Sequence, residues 1–195
     1  MTELEQLRQQ IITARQALTS EQCSNATNKI SIQLFALNIF QQSKKIACYL
    51  NFRNEVGTET IIKKIWELKK LCYLPIITKD KSLLYSAYNE MTPLVENQYS
   101  LLEPKLENNI IDTSLLDLVI VPLVAFDKKC TRIGWGQGHY DRCFNFLQTS
   151  SRPNKPYLVG IAYELQKKNH LKRESWDIPL DAVITESTIY YPEEK

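Results

Sequence analysis

Glycine is scarce in this chain, five in 195 residues against an average usage of roughly 7%, so no glycine-rich linker or repeat is present. Histidine occurs only twice. The five cysteines, Cys23, Cys48, Cys72, Cys130 and Cys143, form an odd set without a C-x-x-C pair. That excludes a complete disulfide framework and the usual zinc spacings, and leaves reduced thiols in a cytoplasm as the expected state. Residues 118–126 are the longest uninterrupted apolar run, nine residues with a proline among them, whereas a membrane span needs about 20. The first residues carry Glu3 and Glu5 rather than an apolar signal core, which argues against secretion by that route. No charge excess exists either: 24 Lys and Arg face 22 Asp and Glu, short of the basic balance of a dedicated nucleic-acid binder. What remains is an ordinary globular mixture, 44% hydrophobic and 24% charged, whose length predicts one domain over residues 1–195.

Leu4, Leu7, Ile11, Ala14 and Leu18 recur at spacings of three and four, the mark of an amphipathic helix. Thr19 followed by Gln22 predicts a capping box opening a second helix through Ala26, Ile30, Leu34 and Leu37, so the first 40 residues read as a helical hairpin. Residues 46–50 predict a strand, 51–57 a polar loop, Thr58 an N-cap, Ile61 to Trp66 a helix, and 71–77 a second strand, which together make a β-loop-α-β unit. Residues 83–88 read as an antiparallel or edge strand and 91–113 as loop with little structure. Residues 118–121 read as a strand buried on both faces, 138–147 as a helix, and 157–162 and 182–185 as strands. Strands alternating with helices predict an α/β fold with a mostly parallel sheet, its ligands gathered at the carboxyl ends of the strands.

Three of the five glycines fall within five residues, in Arg132-Ile133-Gly134-Trp135-Gly136-Gln137-Gly138-His139-Tyr140-Asp141-Arg142. Placed after a buried strand, such glycines allow positive φ and close approach of backbone N–H groups to an anion, and a following helix N-terminus adds partial positive charge. Arg132 offers a bidentate fork for phosphate oxygens and Asp141 a hard oxygen for Mg²⁺. The spacing is neither that of a P-loop nor that of a dinucleotide fingerprint, and a turn serving only tight packing is the competing reading.

The longer string is more specific. Val121-Pro122-Leu123-Val124-Ala125-Phe126-Asp127 together with the 132–142 segment resembles the 5-formyltetrahydrofolate cyclo-ligase, or methenyltetrahydrofolate synthetase, family. Weaker likeness extends to Arg8 and Arg15 on the first helix, Tyr49-Leu50 to Glu55, Leu74-Pro75 and Trp176-Asp177-Ile178-Pro179. The resemblance implies a three-layer Rossmann-like domain with helices on both faces of its sheet. It also implies a cytoplasmic, monomeric enzyme that uses ATP and Mg²⁺ to close 5-formyltetrahydrofolate into 5,10-methenyltetrahydrofolate, with no nucleic-acid or membrane partner. The chemistry it implies is transfer of the γ-phosphoryl group to the formyl oxygen, then attack by N10 and loss of phosphate. By position it places nucleotide contacts on Arg8 and on Arg132, Ile133, Gly134, Trp135, Gly136, Gln137, Gly138, His139 and Tyr140. Mg²⁺ falls on Asp141 and Asp177, with Arg132 and Asp141 serving the reaction. Folate contacts fall on Leu50, Glu55 and the stretch from Trp135 to His139.

Two positions depart from the family pattern. Leu4 stands where the family's Lys-x-x-x-Arg has lysine, which removes a charge from the phosphate side unless Arg142 or Lys129 replaces it. His139 stands where an aromatic is usual, and His170, in a lysine-rich stretch, reads as exposed and idle. A catalytically idle nucleotide- or RNA-binding relative, and an ATP-dependent ligase of another amide-bearing heterocycle, are the alternatives.

Overall fold

The computed structural model describes residues 1–105, 109–149 and 151–192. Three helices, α1 (Glu3–Gln16), α2 (Ser20–Ala36) and α3 (Asn38–Gln42), precede β1 (Lys45–Ala47), α4 (Glu59–Glu67), β2 (Leu71–Ile77) and β3 (Leu83–Tyr88). Short strands follow: β4 (Leu94–Glu96), β5 (Leu102–Pro104), β6 (Ile110–Ile111), β7 (Leu118–Pro122), β8 (Ala125–Asp127) and β9 (Arg132–Ile133). The chain closes with α5 (His139–Cys143), β10 (Tyr157–Ile161), β11 (Lys167–Lys168), β12 (Ala182–Ile184) and β13 (Ile189–Tyr190).

Eight strands form the central sheet in the order β13-β12-β10-β7-β1-β2-β3-β6. The five from β12 to β2 run parallel, and β13, β3 and β6 add antiparallel edges. Its central strands read as continuous apolar runs because both faces are covered. Along β7, Leu118 and Ile120 point into one core with Ile30, Leu34, Phe40, Ile61 and Ile65 from α2, α3 and α4. Val119 and Val121 point the other way, against Phe126, Phe144, Leu147, Ile178 and Leu180. The two layers are unequal: three helices cover the first face, whereas α5, a single 3₁₀ turn at Asn145–Leu147 and irregular chain contribute to the second.

Thr19 and Gln22 do form a reciprocal capping box at the start of α2. The expected hairpin of α1 on α2 does not form. Ile11 of α1 packs instead with Val124, Ala125, Ile133 and Leu171, beside the small sheet β11-β8-β9. The 138–147 helix is also corrected: α5 ends at Cys143 after five residues. Within 91–113, β4 and β5 pair as a hairpin and β6 joins the edge of the sheet, where loop was expected; residues 106–108 of that segment lie outside the described residues. Strands of two or three residues are too short to show a period.

Candidate active site

Two cavities open at the carboxyl ends of the parallel strands and meet over the glycine loop, where Pro122, Trp135, Gln137, His139 and Tyr140 line both. This is where an open parallel sheet gathers its ligands. The smaller, of about 360 Å³, has Tyr49, Leu50, Phe52 and Glu55 from the segment after β1, Leu74, Pro75 and Ile77 from β2, and Tyr99, Leu101 and Leu102 from the β4–β5 hairpin. The larger, of about 1230 Å³, takes Leu4 and Arg8 from α1, residues 132–142, and His170, Lys172, Trp176 and Asp177.

Asp127 sets up the loop. Fully buried, its Oδ1 accepts from the N–H groups of Lys129 and Thr131, and its Oδ2 from that of Leu171. The chain thereby reverses through Cys130 (φ 58) and delivers β9 antiparallel to β8, so that Arg132 enters the site from a fixed strand. Gly136 (φ 93) and Gly138 (φ 64) occupy left-handed backbone, which side chains other than glycine resist. The N–H groups of Trp135, Gly136, Gln137 and Gly138 donate to nothing among the described residues, and all four residues line the larger cavity. Arg8 donates from Nε to the Gly134 carbonyl at 2.9 Å, fastening α1 to this run. The helix expected to reinforce it contributes little dipole at five residues; positive charge here comes from Arg8, Arg132, Arg142 and Lys172.

Arg132 pairs with Asp141 at 2.6 Å and its Nη1 donates to the Ile178 carbonyl. Asp141 Oδ1 also accepts from the Ile178 N–H at 3.1 Å, which brings the Asp177–Ile178 peptide beside it. Asp177 Oδ2 accepts from the Glu174 N–H at 2.8 Å. One oxygen of each carboxylate thus makes no hydrogen bond among the described residues. No three His, Cys, Asp or Glu side chains group into a ready cage among the described residues. Two such carboxylate oxygens on a cavity lined by arginines fit Mg²⁺, which keeps waters and phosphate oxygens in its shell, and would not suffice for a protein-only metal site.

Glu55 is no solvated loop acid. Only 7% exposed, it accepts from Trp135 Nε1 at 2.9 Å and from the Phe52 N–H at 3.0 Å. Burial pushes its carboxyl upward, opposed by the Trp135 bond and by Arg15. His139 is fixed by donation from Nδ1 to the Lys81 carbonyl at 2.7 Å, a carbonyl that Arg142 also reaches at 2.8 Å.

Every residue expected at the nucleotide, Arg8 and 132–140, lies on the larger cavity together with Asp141 and Asp177. Leu50, Glu55, Trp135, Gln137 and His139 lie on the smaller, while Gly136 and Gly138, expected there too, line only the larger. His170 is exposed as expected but stands on the wall of the larger cavity. Lys129, offered as a replacement charge, is on neither wall, whereas Arg142 is. Sequence reasoning missed Phe52, Arg53, Tyr99 and Leu101, whose only signal was proximity to Glu55 or to a hairpin too short to read.

A parallel α/β sheet whose carboxyl edge holds a cationic, glycine-lined cavity beside an apolar one defines an enzyme that brings two small ligands together. The comparisons with known proteins narrow this. A family model for the 5-formyltetrahydrofolate cyclo-ligase family matches residues 1–186. The 5-formyltetrahydrofolate cyclo-ligase of Haemophilus influenzae is 39% identical over 183 residues, covering 90% of this chain and 94% of that protein. That of Escherichia coli K12 is 34% identical over 180 residues, covering 90% and 96%. The solution structure of Aquifex aeolicus 5,10-methenyltetrahydrofolate synthetase superposes with a TM-score of 0.85 at 27% identity, covering 100% of this chain and 95% of that one. The chain belongs to the 5-formyltetrahydrofolate cyclo-ligase family.

Proposed function

We propose that this protein, acting as one domain in a reducing cytoplasm, closes 5-formyltetrahydrofolate to 5,10-methenyltetrahydrofolate at the expense of ATP. The observation that carries the reading is the junction of two unlike cavities over one loop. A triphosphate suits the larger, with its arginines and open N–H groups; a pterin suits the smaller, with its aromatic walls and one buried carboxylate.

The formyl group on N5 is an amide, whose oxygen is a poor leaving group. Phosphorylation of that oxygen turns it into phosphate; N10 then attacks the formyl carbon, its proton is lost, and the C–O bond breaks to leave the N5–CH–N10 bridge. ADP and phosphate are the other products. Little covalent work falls to the protein, which orients and neutralises charge. Arg132, held on the wall of the larger cavity by Asp141 and the Ile178 carbonyl, places its charge beside the phosphates, and Arg8 and Arg142 flank the loop. Asp141 and Asp177 would hold Mg²⁺, which supplies charge neutralisation on the phosphates. Glu55 accepts pterin N–H donors, Trp135 offers a ring face, and Leu50 packs on the apolar body of the folate. Trp135, Gln137, His139 and Tyr140 line the junction where the two ligands would meet.

Purified protein mixed with 5-formyltetrahydrofolate, Mg²⁺ and ATP should develop the near-ultraviolet band of the conjugated methenyl bridge, and only when ATP is present. ATP binding without that band would assign the chain to an idle nucleotide binder or to another substrate. In the same assay Asp141→Asn, which keeps an acceptor for Arg132 and Ile178, should stay folded and lose turnover by at least about tenfold. Full turnover at saturating Mg²⁺ would remove Asp141 from the metal.

A further inference from the structure

Arg15 is the residue whose environment the reaction so far leaves unexplained. It sits in the last turn of α1, four residues after Ile11 on the face that packs inward, and none of it is exposed. An aliphatic side chain would serve that helix face, and a buried guanidinium is expensive unless its donors are used. Here Nε and Nη1 have no partner among the described residues. Nη2 donates to the Arg53 carbonyl at 3.0 Å, and Cζ lies 5.5 Å from the centroid of the Trp135 ring. Trp135 in turn donates to Glu55.

These contacts converge on one object. Arg53, with φ 46, and Asn54, with φ 56, form a left-handed turn that carries Phe52, Arg53 and Glu55 onto the smaller cavity. Arg15 does not line that cavity. It lies behind the turn, bonded to its backbone, beneath the indole that bonds its carboxylate. We propose that Arg15 is a positioning residue for folate: from behind the 52–55 turn its guanidinium holds the turn and the Trp135 ring, and sets a positive charge opposite Glu55, the acceptor for pterin N–H groups.

The electrostatic surroundings leave this task to Arg15. Glu55 and Arg15 are faced by Tyr49 after β1, Tyr140 on α5, Tyr163 after β10 and Cys23 on α2, with Arg53 on the turn itself. Burial pushes all three phenols upward, so they stay neutral and add no charge of their own. Burial also raises the Glu55 carboxyl; the Trp135 bond, Arg15 and the Phe52 N–H bond oppose it, and of these Arg15 alone brings a full charge. Removing the guanidinium therefore raises that carboxyl further. Glu55 then takes up its proton at a higher pH, and the acceptor is lost from that pH downward.

The inference rests on the folate reading of the smaller cavity, and the test separates the two. Parent, Arg15→Met and Arg15→Lys are compared in the methenyl-forming assay across pH 5.5 to 8.5, with KM measured for each substrate and melting followed in parallel. Met is of similar volume but leaves buried Glu55 without its countercharge, which lowers stability unless the carboxyl takes up its proton, so each melting temperature is read beside the kinetics. At neutral pH the Met variant's folate KM should rise several-fold, as the Trp135 ring and the 52–55 turn lose their support, while its ATP KM stays within about twofold. The pH below which folate KM climbs should move upward, and adding Glu55→Gln to Arg15→Met should cost almost nothing more. Lys, which keeps the charge without the planar fork, should restore the parent's pH profile but only part of its folate KM. Superimposable folate KM profiles in parent and Met, or folate and ATP KM rising together with a lost melting temperature, would overturn the role. Should Met fail to fold, the Lys profile decides. A parent that forms no methenyl product counts against the folate reading itself.

Discussion

At the scale of single residues, Leu4 is the clearest departure to test. It lies on α1, one turn before Arg8, and both stand on the wall of the larger cavity. Its side chain is 43% exposed, so a lysine there would reach the cavity with its stem along the helix and its ammonium in water. Leu4→Lys should lower the KM for ATP by about two- to fivefold at low ionic strength, the yield of one partly exposed charge, and the gain should shrink as salt screens it. An ATP KM unmoved at low ionic strength would mean that Arg8, Arg132 and Arg142 already neutralise the triphosphate. The glycine cluster was legible in the sequence because three of five glycines within five residues need a backbone reason, and positive φ at Gly136 and Gly138 supplies it. The burial of Glu55 was not legible. It arises from Trp135, 80 residues away, and from Arg15 on a helix whose period marks that position only as inward-facing.

At the scale of elements, the β4–β5 hairpin is the piece that sequence patterning could not deliver, and it builds a wall of the smaller cavity. Three-residue strands carry no usable alternation; what holds this hairpin is a carboxylate. Glu103 Oε2 accepts from the Ile77 N–H at 3.1 Å and from Asn97 Nδ2 at 2.7 Å, which ties the hairpin to the carboxyl end of β2. Each such bond to a charged acceptor contributes on the order of 1.5–3 kcal/mol. Glu103→Ala should leave the sheet intact, speed amide exchange across residues 97–104, and raise the folate KM several-fold with the ATP KM unchanged; Glu103→Gln should recover part of the loss. Equal exchange rates in parent and Glu103→Ala would show that pairing of β4 with β5 alone secures the wall. The long parallel strands and the β1-α4-β2 unit were legible for the opposite reason. Apolar runs such as 118–121 are covered on both faces, and no distant partner has to be known to read them. The docking of α1 was not legible, since its amphipathic period states that one face is buried but not which surface buries it.

At the scale of the whole molecule, α1 joins the two cavities. Arg8 bonds the glycine loop beside the larger cavity and Arg15 the 52–55 turn behind the smaller, seven residues and so roughly 10 Å apart along one helix. Trp135, Gln137, His139 and Tyr140 are walls of both cavities, so a ligand that orders the loop from one side prepares it for the other. Binding should therefore be cooperative. A non-hydrolysable ATP analogue with Mg²⁺ should tighten the Kd of 5-formyltetrahydrofolate by about five- to tenfold, and by linkage the folate must tighten the analogue by the same factor. Calorimetric titration in both orders measures the two factors independently. Arg8→Ala, which unties α1 from the Gly134 carbonyl, should weaken the analogue and also reduce the coupling, because the helix no longer carries loop order from one cavity to the other. Equal folate affinities with and without the analogue would mean that the loop is already in its final form. The meeting of the two cavities would then set the geometry of phosphoryl transfer without coupling the ligands that use it.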